Sequence, residues 1–142
     1  MRKKTVEEYI ETIDALERRE GRAQTGMIAQ EIAVRPPSVT EMLRKLEKGG
    51  LIEYKSYSGA ILTPTGRRMA CDLQKKHRIV ASFLEMLGVD HDIAEADACQ
   101  IEHHVSSETA ERLRLFVEYL RNSPPGRGCT EHFERYCRER ER

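Results

Sequence analysis

The segment Cys99-Gln100-Ile101-Glu102-His103 carries a thiol, a carboxylate and an imidazole at positions i, i+3 and i+4. On a helix those positions share one face, with Cβ atoms about 5–6 Å apart, so all three side chains can address one ion. Soft sulfur, hard oxygen and borderline nitrogen together suit a divalent first-row metal such as Fe(II), Mn(II), Co(II) or Zn(II). Glu8 and Glu11 make a second i, i+3 pair, and two like charges that close repel unless a cation or a base neutralises them. They are therefore candidates for the remaining ligands. His77 stands between Lys75-Lys76 and an apolar stretch. Taken singly, each of these groups also has an ordinary reading, as surface charge or as a hydrogen-bonded core residue.

Elements must exist to bring these side chains together. Thr5 with Glu8 three residues on is a capping-box pattern, and Val6, Tyr9, Ile10, Ile13 and Leu16 recur at helical spacing. These predict a helix over about residues 5–20, closed by Gly21. A second helix, over about 25–33, is capped by Thr25, and a third, over about 37–48, follows Val34-Arg35-Pro36-Pro37. After Gly49-Gly50 the period changes to two short β-like runs around Ser56-Tyr57-Ser58-Gly59, a hairpin pattern. Thr63-Pro64-Thr65-Gly66 opens a long helix to about Leu87, followed by helices over about 90–104 and 106–121. Ser123-Pro124-Pro125-Gly126 reads as a breaker before a short tail helix from Cys129. These elements predict a mainly α fold, a winged helix-turn-helix over residues 1–72 followed by an all-helical domain over 73–142 in which dimerisation and metal binding are expected.

Charge supports that division. The 142 residues hold 24 Lys/Arg and 24 Asp/Glu, which excludes a globally basic nucleic-acid binder but leaves room for a local basic face. Residues 1–70 carry 13 Lys/Arg against 10 Asp/Glu, whereas Arg78 and Arg112 enclose eight acids, three histidines and no base. A mildly basic half joined to an acidic, histidine-bearing half fits a polyanion binder coupled to a cation site. No run approaches the roughly 20 apolar residues of a membrane helix, and the first residues lack a signal peptide's apolar core. Four cysteines are too sparse and uneven for a secreted disulfide framework, so a soluble, cytoplasmic protein is expected.

The third helix is the candidate DNA-reading element. Its outward positions include Ser38 and Thr40, then Arg44, Lys45 and Lys48, with Arg35 and Pro37 at its start. Short hydroxyls near an N-terminus can approach base edges, while arginine and lysine reach phosphates. Lys55 and Tyr57 fall at the hairpin tip, where a wing meets the DNA backbone or minor groove.

Several stretches together resemble the diphtheria toxin repressor family of metal-activated transcription regulators, in its short manganese-type (MntR-like) branch. They are Glu7-Glu8-Tyr9-Ile10-Glu11, Pro37-Ser38-Val39-Thr40, Leu62-Thr63-Pro64-Thr65-Gly66, Lys76-His77 and Cys99-x-x-Glu102-His103-His104, in the family's order over residues 5 to about 120. The resemblance implies that the N-terminal winged helix binds operator DNA, that the following helices form a homodimer, and that metal lies between the two. It places the ligands at Glu8, Glu11, His77, Cys99, Glu102 and His103. Glu8 stands where the manganese branch has aspartate, and Cys99 where it has glutamate. The iron branch has cysteine at the latter position, so the site is mixed. The iron branch's ancillary site is altered, with Ala81 in place of an acid and Glu95, a possible secondary ligand, in place of a histidine.

The expected function is that of a repressor binding palindromic operator DNA as a homodimer when Fe(II) or Mn(II) is bound, with Co(II) or Zn(II) able to substitute in vitro, and controlling metal-homeostasis genes. The alternative is a small helical metalloenzyme using the Glu/His/Cys site to activate water. Cys71 reads as a small buried hydrophobe, and His91 and His104 as surface or core residues rather than ligands. The tail pattern Cys129-x-x-His132-x-x-x-x-Cys137 admits a small metal or redox site, or incidental thiols on a terminal helix.

Overall fold

The apolar spacing read above builds seven helices and one hairpin in the computed structural model, which describes residues 3–142, with side chains from Thr5 onward. They are α1 (Lys3–Glu20), α2 (Thr25–Ile32), α3 (Pro36–Lys48), β1 (Ile52–Lys55), β2 (Gly59–Leu62), α4 (Pro64–Met86), α5 (His91–Ile101), α6 (Ser107–Asn122) and α7 (Pro124–Arg140). The chain divides into two compact units, one ending at Gln74 and one beginning at Lys75, so α4 starts in the first and ends in the second. Among the described residues, no helix is long and apolar enough to cross a membrane.

In the first unit α1 buries Tyr9, Ile10, Ile13 and Leu16 against Ile28 of α2, Val39, Leu43 and Leu46 of α3, and Ile52 and Leu62 of the hairpin. α3 begins with Pro36 and Pro37 in its first turn, where a missing N–H costs nothing, after Arg35 in extended conformation. The α2–α3 turn passes through Ala33 at φ 60, the left-handed region usually given to glycine. β1 and β2 pair antiparallel, Ile52 opposite Leu62 and Lys55 opposite Gly59, which leaves Tyr57 at the tip with 84% exposure. Glu17 of α1 ties the wing to α4: its carboxylate accepts from Leu62 N at 3.0 Å and from Arg67 at 2.7 Å.

The second unit has a thin core, centred on Val80, Ala81 and Ala98 with Leu84 packed beside them. Leu87, Ile93, Ile101, Leu115, Phe116, Tyr119, Phe133 and Tyr136 are all exposed large hydrophobics of this unit. α6 and α7 pack against one another through a tight corner. There Ser123 Oγ donates to Tyr119 O at 2.6 Å and accepts from Gly126 N at 3.0 Å. A Cβ on Gly126 would run into Tyr119 O, so only glycine fits.

Four expectations differ from what forms: Cys71, read as buried, is exposed on α4, and three helix boundaries fall elsewhere. α1 is already helical at Lys3, so Thr5 lies inside its first turn rather than at its N-cap. Thr25 is likewise the first helical residue of α2, with Gln24 before it making no side-chain cap bond. The Ser-Pro-Pro-Gly segment opens α7 instead of separating a shorter helix, because prolines in a first turn have no intrahelical N–H to lose and Ser123 supplies the cap.

Candidate metal centre

Sequence spacing treats residues 99–103 as one regular helix face, but α5 ends at Ile101 and Glu102–His104 tighten into a 3-10 turn. The 3-10 turn advances each residue by a larger angle than an α-helix. Cys99 stays exposed, whereas Glu102 and His103 are turned inward and are 2% and 8% exposed.

His77, on α4, is the hub of the cluster. Its Nδ1 lies 2.8 Å from Glu102 Oε2 and 3.8 Å from Cys99 Sγ. Its Nε2 lies 2.7 Å from Glu95 Oε2, and His103 Nε2 is 3.6 Å from Glu102 Oε1. The hydrogen bond from His77, with His91 adding to it, holds the Glu95 carboxyl below its ordinary range. Neighbouring Lys76 turns away from this carboxylate and donates to Val105 O at 2.9 Å.

A carboxylate buried as deeply as Glu102 is costly unless positive charge and hydrogen bonds compensate it. Two imidazoles bracket it, and a thiol stands beside one of them. Oxygen, nitrogen and sulfur donors at these distances fit a divalent first-row ion, so the donor set passes the chemical test for the metal that the sequence implies. Glu95 was read from sequence as a possible secondary ligand, whereas its link to His77 was missed. It lies four residues before Cys99 on α5, the spacing that would have revealed it.

In the first unit Glu8 and Glu11 lie one turn apart on α1, both half-buried, with the Glu8 carbonyl accepting from Thr12 Oγ1 at 2.8 Å. Burial, reinforced by the Glu8 charge, raises the adjacent Tyr9 phenol above its ordinary pKa.

The DNA-facing residues also have defined places. Arg35, Pro37, Ser38, Arg44, Lys45 and Lys48 are exposed on or beside α3, and Lys55 and Tyr57 are exposed at the hairpin. Pro37, Thr40, Glu41, Arg44, Lys45 and Lys48 border a shallow hollow. Thr40 is half-buried and its hydroxyl donates to Pro36 O at 3.2 Å, leaving its lone pairs for a donor. Lys45 pairs with Glu41 at 3.3 Å, so Arg44 and Lys48 are the less encumbered cations. Among the described residues, Cys129, His132 and Cys137 form no three-donor cluster.

Two family models match the chain. One describes the N-terminal DNA-binding domain of iron-dependent repressors and covers residues 1–60; the other describes their metal-binding and dimerisation domain and covers 63–128. The chain belongs to the iron-dependent repressor family. It is 39% identical over 120 residues to the HTH-type transcriptional regulator MntR of Listeria welshimeri, spanning 84% of each chain. It is also similar to the solved structure of the manganese regulator SloR, with TM-score 0.68 and 33% identity over 80% of this chain and 54% of that one. ScaR with bound Zn2+ gives TM-score 0.69 and 33% identity, again over 80% of this chain and 54% of that one. The chain thus spans about half the length of these two solved proteins. As a member of this family it is a metal-dependent transcriptional regulator, a reading favoured over the water-activating alternative.

Proposed function

We propose that the protein is a cytoplasmic repressor, activated by Fe(II) or Mn(II), that binds palindromic operator DNA as a homodimer and controls metal-homeostasis genes. The observation that carries this reading is the buried Glu102 carboxylate bracketed by His77 and His103, with the Cys99 thiol alongside. The residues that would hold the ion are Glu8, Glu11, His77, Cys99, Glu102 and His103. When bound, the ion would supply positive charge to these carboxylates.

The exposed apolar residues of the second unit support pairing of two copies, since an apolar surface of this size is seldom left to water. A two-fold pair presents two copies of α3, and a palindrome matches that symmetry. Arg44, Lys45 and Lys48 would meet phosphates, with Ser38 and Thr40 nearer the base edges, and Lys55 and Tyr57 would meet the flanking backbone.

An anaerobic titration of operator-containing DNA with protein tests this, run separately with Mn(II), Fe(II), Co(II) and Zn(II). Binding should appear only with metal and should vanish in Glu11→Gln and His103→Ala. Undiminished DNA binding by both variants under chelation would refute it.

A further inference from the structure

The corner between α4 and α5 gathers three donors that the ligand set above leaves out, except that one of them touches it. α4 ends in a Schellman turn: Val89 N donates to Leu84 O at 3.1 Å, Gly88 N to Glu85 O at 2.9 Å, and Gly88 takes φ 93. Asp90 then caps α5, accepting from Asp92 N at 3.1 Å. This short corner sets Glu85, in the last turn of α4, beside His91, the first residue of α5, with His91 Nδ1 2.9 Å from Glu85 Oε1. Glu95 lies one turn along α5 from His91, on the same face. One donor atom from each of Glu85, His91 and Glu95 lies within 4.8 Å of the other two.

We propose that Glu85, His91 and Glu95 form a second metal site, contained within the second unit, that takes a divalent first-row cation with water completing its shell. Donors around an ion with bonds of about 2.1 Å stand about 3–4.2 Å apart, so the three need close by at most about 2 Å through side-chain rotation. The set is two carboxylates and one imidazole without sulfur, harder than the cluster containing Cys99, and so better matched to Mn(II).

Two features of the corner call for a cation. Glu85 places a negative charge in the last turn of α4, where the helix dipole is already negative and no basic residue stands. His91 also stands among acids, with Glu85 Oε1 at 2.9 Å and Glu95 in the same three-donor cluster. Glu85 and Glu95 share a hollow with Lys75, Arg78, Arg114 and Arg121, in which Arg114 is held by Glu111 and Glu118, each at 2.7 Å, while Glu85 and Glu95 pair with His91 and His77.

His77, Ala81 and Glu85 fall at successive four-residue steps along α4, and Ala81 is buried with 3% exposure. Glu85 thus shares the α4 face of His77 but lies two turns on, where it meets His91. Glu95 faces His77 Nε2 at 2.7 Å, so occupancy of the corner would be felt at the buried cluster through a single shared carboxylate.

Counting Mn(II) bound to the chelator-treated full chain by the loss of the free-ion EPR signal tests the proposal, comparing wild type with Glu85→Gln/His91→Ala. The double variant should bind one ion per subunit fewer than wild type, or bind it at least about tenfold more weakly. That difference is expected whether or not the buried cluster also takes an ion, and His103→Ala should leave the corner's ion in place. His91 ring resonances, followed by NMR in the wild type, should broaden as the corner fills. An equal count with equal affinities in the double variant, or His91 resonances unchanged at saturating Mn(II), would overturn it.

Discussion

Replacing His77 by alanine in chelator-treated protein measures how far this imidazole compensates Glu102. Glu102 is 2% exposed, with Oε2 2.8 Å from His77 Nδ1, while the second imidazole stands at 3.6 Å from Oε1. Deleting a hydrogen-bond partner of a buried carboxylate costs about 3 kcal/mol at the high end, and the His103 contact remains in place. The contact with Glu95, whose side chain is 44% exposed, is screened by solvent and adds little. With a urea slope of about 2 kcal/mol/M, the midpoint should fall by up to about 1.5 M in His77→Ala and by less than about 0.5 M in Glu95→Gln. Far-UV circular dichroism reads both. The double variant His77→Ala/Glu102→Gln should recover much of the loss, because an uncharged amide is cheaper to bury than a carboxylate. A fall of less than about 0.5 M in His77→Ala, or no recovery in the double variant, would refute the compensation of Glu102 by His77.

Charge reversal at Arg44 or Lys45 should weaken DNA binding without changing metal affinity, and should lower the salt slope by about one unit per lost phosphate contact; filter binding across salt concentrations checks this. Cys99→Glu should shift the metal preference toward Mn(II) and Cys99→Ala should weaken Fe(II) activation most, and an unchanged order of metals in anaerobic titrations would show that the thiol is not a ligand. Sedimentation of the full chain at micromolar concentration should give a dimer, and the double variant Phe116→Glu/Tyr119→Glu should give a monomer. In chelator, His91 should titrate above its ordinary range because the Glu85 carboxylate accepts from it, and Glu85→Gln should bring it back, as followed by NMR. The sign follows from a raised folded pKa: the pair's stabilisation is full below the ordinary histidine value and is lost as pH rises through the raised one.

Periodicity and punctuation carried most of the fold. Ile10, Ile13, Val39, Leu43 and Leu46 sit where their spacing placed them because a helix repeats every 3.6 residues whatever it packs against. Side-chain chemistry likewise marks Cys99, Glu102 and His103 as candidate donors whatever the geometry. Helix ends were less legible, since Thr5, Thr25 and the Ser-Pro-Pro-Gly segment are each compatible with more than one boundary position.

What only the tertiary structure decided is which groups face one another. The 3-10 tightening at Glu102 separates an exposed Cys99 from a buried Glu102 and His103, although the sequence spacing treats all three alike. His77 stands 25 residues from Glu102 and 18 from Glu95, and it meets both because α4 and α5 pack through Val80, Ala81 and Ala98. The Gly88 turn similarly sets His91 beside Glu85. A sequence specifies donor types and local faces, because those depend on side-chain identity and backbone period. The pairing of two imidazole nitrogens with two particular carboxylates depends on how one helix crosses another, which is set by packing across the whole unit.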